Sequence, residues 1–358
     1  MTSNLKSALA HNTPAHAVGF YHVAIVGGAS LKGKEVAEVL SERNFPSLDI
    51  KLLDDDETLG QLEATGDEMN FIQSVRSEQF DKLDFVFFAS DEDCTRQNWK
   101  NARHAGSSIV DLTYALEHEP GVSVRSPWVE RQLGKTPVLE LQPGPVVVAH
   151  PAAIVLALLL LRAQRAGKVK SAQAMVFEPA SEHGQKGMDE LHQQTVNLLS
   201  FQPLPKNIYA TQVAFNMVSR YGDESASSLS KIEDRVRSHY EQIAGKDVPQ
   251  PSLLIVQAPI FHGHAFAIHV ELETAAEVSK VAEAIAGEHV SVVAAPHEAP
   301  TNVNAAGQGD IQVSVILDKS SANGFWLWAA SDNLRVAAAN AVECAEIMAA
   351  SRPRGKIQ

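Results

Sequence analysis

Gly27, Ser30 and Gly33 are three small residues at a regular spacing, placed between an apolar stretch and a segment with helical apolar spacing. A glycine at the first position allows a tight strand-to-helix turn, and one at the last position lets the helix pack close to the strand. The helix N-terminus formed in this way favours a pyrophosphate group. The sequence therefore predicts a dinucleotide site here, with Ser30 as its middle residue. The alternative is a turn of the same shape that has lost its ligand.

Four acidic residues, 54–57, end the second predicted strand. A carboxylate at this position, first of all Asp54, can accept hydrogen bonds from an adenosine ribose, whereas it would repel a 2′-phosphate. The pattern therefore favours NAD over NADP as the cofactor. A solvated acidic loop without a ligand is the alternative, because runs of like charge are commonly exposed.

Histidines offer a second kind of chemistry. His262 and His264 alternate onto one face of a predicted strand, where they could bind a metal ion together with His150 or His183. Zinc sites need three or four ligands, and the spacing shows no clear third one. We therefore expect structural histidines and no metal.

The predicted secondary structure that positions these residues differs between the two halves of the chain. Apolar strands are predicted over 22–26, 49–53, 85–88 and 108–111, with helical segments between them. This alternation is typical of a Rossmann-like, doubly wound α/β domain with a parallel sheet.

After residue 145 the strands become longer and alternate in polarity. We predict strands over 146–148, 173–179, 253–259, 264–272, 312–317 and 325–329, and helices from 152, over 184–201 and over 332–350, with a short serine-rich linker at 225–230. These elements indicate an α+β domain with an open, mixed sheet. Because such a sheet needs covering, we expect a homodimer.

Composition excludes several classes of protein. A formal charge of −13 argues against nucleic acid as a partner, since phosphate-backbone binding needs clustered Lys and Arg. The longest apolar run, 152–161, is too short to span a bilayer, so no membrane partner is expected. Residues 1–19 lack the apolar region of a secretory signal and are expected to be a disordered tail. Two cysteines in 358 residues indicate a reducing compartment, and we expect a cytoplasmic protein.

Six segments, in the same order along the chain, resemble the aspartate-β-semialdehyde dehydrogenase family. They are Gly27–Gly33, Gly187–Leu191, Gln212–Asn216, the His262-Gly263-His264 turn, Ser331–Arg335 and Asn340–Val342. The resemblance implies a nucleotide-binding domain over 20–148 completed by 332–358, and a catalytic and dimerisation domain over 149–331. It also implies cofactor contacts from the Gly27, Ser30, Gly33 turn, Asp54 and Asn340.

The family's reaction, as the resemblance implies it, uses a cysteine thiolate that attacks an acyl phosphate, followed by hydride transfer to the thioester. Ala153 occupies the position of that cysteine, Glu178 that of the active-site glutamine, and Gln257 that of a substrate arginine. His264 matches the acid/base histidine, and Ala265 follows it in place of the family's serine. Alanine cannot act as a nucleophile, so the resemblance predicts loss of the thioester reaction.

Three hypotheses follow from this pattern. The first is a catalytically silent homologue that keeps the dimeric fold and NAD, or another small-molecule ligand, and acts as a binding or regulatory protein. The second is an active NAD(P)-dependent oxidoreductase of aspartate semialdehyde in amino-acid biosynthesis, with altered chemistry. The third is an interaction protein without a cofactor. Cys94 could replace the nucleophile only against the charge of Asp91, Glu92 and Asp93, so a structural thiol is favoured.

Overall fold

The structure is a computed structural model that describes residues 20–54, 60–65, 68–136, 143–294 and 296–351. The predicted tail 1–19 and the acidic residues 55–57 lie outside these ranges. In the first part of the chain the elements are β1 (Tyr21–Val26), α1 (Leu31–Glu42), β2 (Ser47–Asp54), β3 (Leu62–Thr65), β4 (Glu68–Phe71), β5 (Gln73–Ser74), β6 (Phe85–Phe88), α2 (Glu92–His104), β7 (Ser108–Asp111), β8 (Ser123–Arg125), α3 (Pro127–Gln132) and β9 (Val146–Val148).

Seven of these strands form a parallel sheet in the order β5-β2-β1-β6-β7-β9-β8, while β3 and β4 form a separate hairpin. The central strands are buried on both faces: Val23 to Val26 and Phe85 to Phe88 are fully inaccessible to solvent. Continuous apolar strands suit this position because helices cover both faces of a parallel sheet. The predicted Rossmann-like sheet is confirmed.

The rest of the chain builds a second sheet. Its elements are α4 (Pro151–Ala163), β10 (Val169–Glu178), α5 (Gly184–Leu199), α6 (Leu229–Ala244), β11 (Ser252–Gln257), β12 (His264–Leu272), α7 (Val278–Ile285), β13 (Val290–Val292), α8 (Asn302–Ala305), β14 (Ile311–Leu317), β15 (Gly324–Ser331) and α9 (Asn333–Ser351). The strand order is β11-β10-β12-β15-β14-β13, with parallel pairs at both edges and antiparallel pairs in the middle. The predicted mixed sheet is confirmed.

Helix α6 begins at Leu229, inside the predicted serine-rich linker 225–230, and is the largest element that the sequence did not predict. Its buried residues Leu229, Val236, Tyr240 and Ile243 lie on one face, with charged residues between them. The interleaved charges hide the apolar stripe in the sequence, although the 3.6-residue period is present. This helix matters for function because it forms one wall of the cleft described below.

Helix α9 returns to the first sheet. Asp332 caps it by accepting hydrogen bonds from the Leu334 and Arg335 amides, as the sequence predicted. Arg335 is paired with three carboxylates of α1, those of Glu35, Glu38 and Glu42. The apolar face of α9 packs in one core cluster with β1, β6 and α1. Of the helices that the structure describes, none has the length and apolar composition that crossing a bilayer requires.

Candidate functional site

A cavity of about 320 Å³ opens at the carboxyl ends of the parallel strands, where the two sheets approach each other. Its first wall comes from the loops that follow β1, β6 and β7, and its second from the end of β10 and from α6. The lining includes Leu31, Lys32, Ser90, Asp91, Glu92, Tyr114, His150, Glu178, Glu182, His183 and Arg235. Crevices at this edge of an open α/β sheet are the usual place for ligands.

Backbone geometry within the protein is sufficient to explain the small residues of the glycine turn. Gly27 has φ +90°, and a Cβ there would lie 2.4 Å from the Ser90 backbone nitrogen. A Cβ on Gly33 would lie 2.0 Å from the Gly27 carbonyl oxygen. The Ser30 hydroxyl donates to the Ala89 carbonyl and accepts from the Gly33 amide, so it caps α1. Packing alone therefore accounts for these three residues, whether or not a ligand binds.

The N-terminus of α1 nevertheless faces the cleft. Within the described part of the chain, the Leu31 and Lys32 amides have no hydrogen-bond acceptor, and both residues line the cavity. The Lys32 ammonium donates to the Leu112 carbonyl at 3.3 Å and lies over the Tyr114 ring. Two unpaired amides, the helix dipole and one ammonium group together make this a suitable place for a phosphate group.

Two further predicted cofactor residues are bonded within the protein. Asp54 ends β2, as predicted, and accepts a hydrogen bond from the Ala29 amide at 2.8 Å, which ties it to the glycine turn. Asn340 lies inside α9, fully buried, where it accepts from the Ser126 hydroxyl and donates to the Val336 carbonyl. Asn340 is not among the residues that line this cavity.

Ala153 lies in the first turn of α4 and is fully buried. This helix begins after β9, with His150 as the N-cap residue. The His150 amide donates to His239, and the His150 ring lines the cavity. Ala153, the predicted counterpart of the family's cysteine, thus has a fully buried methyl group in the first turn of this helix.

The two thiols of the chain, Cys94 and Cys344, both have raised pKa values. Burial raises the pKa of Cys94, and the nearby Asp91 charge raises it further. Cys344 is fully buried in α9, and burial raises its pKa to about 12. Because the thiolate is the reactive form, these raised pKa values disfavour the reactive form of both cysteines.

His264, the predicted acid/base histidine, has a buried glutamate as its partner. Strand β12 runs antiparallel to β10, so the first residue of β12, His264, lies beside the last residue of β10, Glu178. The His264 Nε2 and Glu178 Oε2 atoms are 3.2 Å apart, and both side chains are fully buried. Burial lowers the pKa of His264, but the hydrogen bond and charge of Glu178 outweigh it and the pKa is raised. Burial also raises the pKa of Glu178.

Glu182 is the second buried carboxylate of the cleft, with a side chain only 5% exposed. The Asn333 side-chain amide donates to its Oε1 at 2.8 Å, while its Oε2 lies 4.0 Å from the Lys32 ammonium. Burial would raise the pKa of Glu182, but the Lys32 charge and the Asn333 hydrogen bond help lower it to about 2. Glu182 is therefore ionised at neutral pH.

The side chain of Gln257 is hydrogen-bonded within the protein and is not available to a ligand. Its side-chain amide donates to the Glu178 and Ala258 carbonyls, and its oxygen accepts from the Tyr221 hydroxyl. Tyr221 also contacts the His183 ring at 2.7 Å. Gln257, the predicted counterpart of the family's substrate arginine, is thus a neutral side chain whose oxygen and nitrogen are both hydrogen-bonded within the protein.

Sequence reasoning missed the ion-pair network on the opposite wall. Arg235 of α6 pairs with Glu117 and Glu92 and lies over the Tyr114 ring. Burial would raise the pKa of Glu117, but hydrogen bonds from His239 and Arg235 outweigh it and lower the pKa to about 2. No residue pattern in the sequence indicates this network, which also depends on the positive φ of +67° at Tyr114.

Together, the parallel sheet, the glycine turn and the cleft at the carboxyl edge define a two-sheet protein of the dinucleotide-binding class. Two family models match the chain: the NAD binding domain of semialdehyde dehydrogenase over residues 22–142 and its dimerisation domain over 159–336. A USG-1 protein homolog of Azotobacter vinelandii is 30% identical over 331 residues, covering 91% of this chain and 97% of the relative. The chain belongs to the semialdehyde dehydrogenase family.

Other relatives agree with this assignment. Aspartate-semialdehyde dehydrogenase of Rickettsia bellii is 26% identical over 334 residues, covering 91% of this chain and 97% of the relative. A probable aspartate-semialdehyde dehydrogenase structure from Pseudomonas aeruginosa superposes with a TM-score of 0.80 at 27% identity, covering 92% and 98% of the two chains. Aspartate semialdehyde dehydrogenase II from Vibrio cholerae shares the fold, with a TM-score of 0.81 at 24% identity and coverage of 92% and 99%. The resemblance seen in the sequence is confirmed.

Proposed function

We propose that this chain is a dinucleotide-binding member of the semialdehyde dehydrogenase family that does not perform the thioester reaction. The observation that carries the proposal is Ala153, a buried methyl group where the resemblance places the nucleophile. Cys94 and Cys344 have raised pKa values and lie on other helices, so no thiolate is available to form an acyl-enzyme.

The charge of the cleft supports the same proposal. Asp91, Glu92, Glu178 and Glu182 line the cavity, while Lys32 and Arg235 are its two lining cations. Arg235 is already paired with Glu92 and Glu117. Lys32 and the N-terminus of α1 can accommodate one phosphate group. The separate carboxylate of an acyl phosphate substrate would find no second unpaired cation among the described lining residues and would meet like charge instead.

The dinucleotide part of the proposal rests on the N-terminus of α1. A nicotinamide cofactor would place its pyrophosphate against the Leu31 and Lys32 amides, and its adenosine ribose toward Asp54 at the end of β2. A carboxylate at that position favours NAD over NADP. The nicotinamide would supply hydride transfer if a substrate were present.

The melting temperature of the full chain, measured with and without added nucleotide, tests this proposal. NAD at a hundredfold its Kd should raise the free energy of unfolding by about 2.7 kcal/mol, and NADP should have a smaller effect. ADP-ribose, which has the pyrophosphate without the nicotinamide, should also stabilise the protein. If neither NAD nor NADP shifted the melting temperature at millimolar concentration, the chain would be an interaction protein without a cofactor.

One observation favours a second candidate, an oxidoreductase with altered chemistry. His264 and Glu178 form a buried acid–base pair at the cleft, and such a pair could transfer a proton to or from a carbonyl oxygen. Consumption of NADH by aspartate semialdehyde without phosphate would support this candidate.

We also infer a homodimer, from the outer face of the mixed sheet. Cross-strand pairing places Leu254, Met175, Ala267 and Trp328 in one row across four strands, and Trp326 follows on the same face. Leu254, Met175 and Trp326 are 42%, 37% and 42% exposed. A second copy of the chain would remove this apolar row from water.

Sedimentation velocity should therefore give a mass of twice 38.7 kDa. The Trp326→Lys variant, which puts a charge into this row, should shift the protein toward monomer. Lys168→Ala is a suitable control because its exposed ion pair with Glu273 lies at the start of β10. A wild-type protein that sediments as a monomer would contradict the inference.

A further inference from the structure

Three side chains from separate parts of the fold meet in the cleft. His150 precedes α4, Glu178 ends β10, and Glu182 lies in the 3₁₀ turn before α5. One ligand atom from each lies within 4.8 Å of the corresponding atoms of the other two. We propose that these three residues bind a divalent metal ion of the zinc type. The proposal goes beyond dinucleotide binding and does not depend on it.

Each carboxylate has one oxygen held by a protein donor. Glu178 Oε2 is bonded to the His264 ring, and Glu182 Oε1 accepts from Asn333. Metal-binding carboxylates are commonly oriented by such outer hydrogen bonds, which leave the second oxygen directed at the ion. The carboxylates of Glu178 and Glu182 are therefore already oriented as two metal ligands would be.

The remaining oxygen of Glu178 is the strongest indication. Glu178 is fully buried and lines the cavity, yet its Oε1 has no hydrogen-bond partner within the described part of the chain. A buried carboxylate oxygen without a partner is costly, because it has lost water and gained nothing in return. A cation bound at Oε1 would remove that cost.

The other oxygen of Glu182 faces the histidine. Its Oε2 lies 3.9 Å from His150 Nε2 and 4.0 Å from the Lys32 ammonium. The Ala152 amide contacts His150 Nδ1 at 3.2 Å, so the Nε2 atom carries the ring proton when no ion is bound. Binding an ion at Nε2 moves that proton to Nδ1 and ends this contact, with no net change in protons.

One nitrogen and two oxygens favour zinc over magnesium. Zinc accepts imidazole and carboxylate at about 2.0–2.2 Å, whereas magnesium prefers six oxygens in an octahedron. Ligand atoms of a tetrahedral zinc ion at these bond lengths are about 3.3–3.6 Å apart. The three ligand atoms lie within 4.8 Å of one another, so the side chains must move together by about an ångström to bind the ion. The fourth position would face the open cavity, as in zinc sites that bind water or a substrate.

Zinc titration of the full chain tests the proposal after dialysis against a chelator and without nucleotide. Calorimetry should show one Zn²⁺ per chain in the wild type, with Mg²⁺ unable to compete at equal concentration. The isosteric variants Glu178→Gln and Glu182→Gln each remove one anionic ligand, and each should weaken zinc binding at least tenfold. Melting curves check that both variants are folded.

The control variant is His262→Ala, because this histidine lies two residues from His264 but outside the proposed ligand set. It should bind zinc as the wild type does. Two results would overturn the proposal: no zinc binding in the wild type, or equal zinc affinity in the wild type and in both glutamine variants. The second result would mean that zinc binds to other histidines. Neither result depends on nucleotide binding, so the proposed function is tested separately.

Discussion

The Gly27→Ala variant is expected to lose roughly 3–5 kcal/mol of unfolding free energy, one of the two largest effects anticipated in this protein. Two costs combine. The alanine must adopt φ +90°, which L-residues avoid, and its Cβ would lie 2.4 Å from the Ser90 nitrogen and 2.6 Å from its Cα. The obstacle is backbone, so it cannot turn aside as a flexible side chain would.

Gly134→Ala separates these two costs. Gly134 also has a positive φ, +66°, but a Cβ there meets nothing within 4 Å. This variant should lose only the conformational part, about 1–2 kcal/mol. Urea unfolding of both variants measures the difference. Equal losses would show that the strand-to-helix turn can shift away from Ser90, and the packing explanation would then be wrong.

The His264→Leu variant is expected to lose about 3–5 kcal/mol, measured in the presence of a chelator. Leucine leaves the fully buried Glu178 carboxylate without its hydrogen-bond donor. An unpaired buried carboxylate must become protonated or draw water into the core, and both are costly. Changing Glu178 to leucine as well should restore part of the loss, because the uncompensated charge is then gone.

An exposed pair of the same kind provides the control. His22 and Asp49 also form a histidine–carboxylate pair, but their side chains are 42% and 46% exposed. His22→Leu should change stability by less than about 1 kcal/mol, since water replaces the lost partner. If His264→Leu were as mild as His22→Leu, water would already reach Glu178 in the folded protein.

Strands β1 and β6 of the first sheet were predictable because each contains a short, continuous apolar run. The short edge strands β5 and β8 were not predicted. Boundaries in the second sheet were less accurate: β10 begins at Val169, four residues before the predicted start at 173. Exposed Lys170 and partly exposed Ser171 interrupt the apolar pattern there, and the pairing with β12 extends to Val169 through a register shift between Val169 and Ser171. Pairing with a neighbouring strand, which one sequence does not display, determined the true start.

The individual residues of the site were partly predictable, but their partners were not. His264 and Glu178 are 86 positions apart and meet only because β10 and β12 are antiparallel neighbours. His150 and Glu182 come together through the start of α4 and a single 3₁₀ turn. The sequence therefore showed His150 and His264 as candidates for metal binding, but it gave no reason to add two glutamates.

Helix α9 has a consequence for the synthesis of the chain. Ala337, Ala341, Val342 and Cys344 cover an apolar surface built from β1, β6 and α1, all of which are completed before residue 90. More than two hundred residues, among them the whole of the second sheet, are translated between those elements and the helix that covers them. During translation, part of the apolar core of the first half of the protein therefore stays exposed to solvent until α9 is synthesised. Chaperone binding would be needed most during this period.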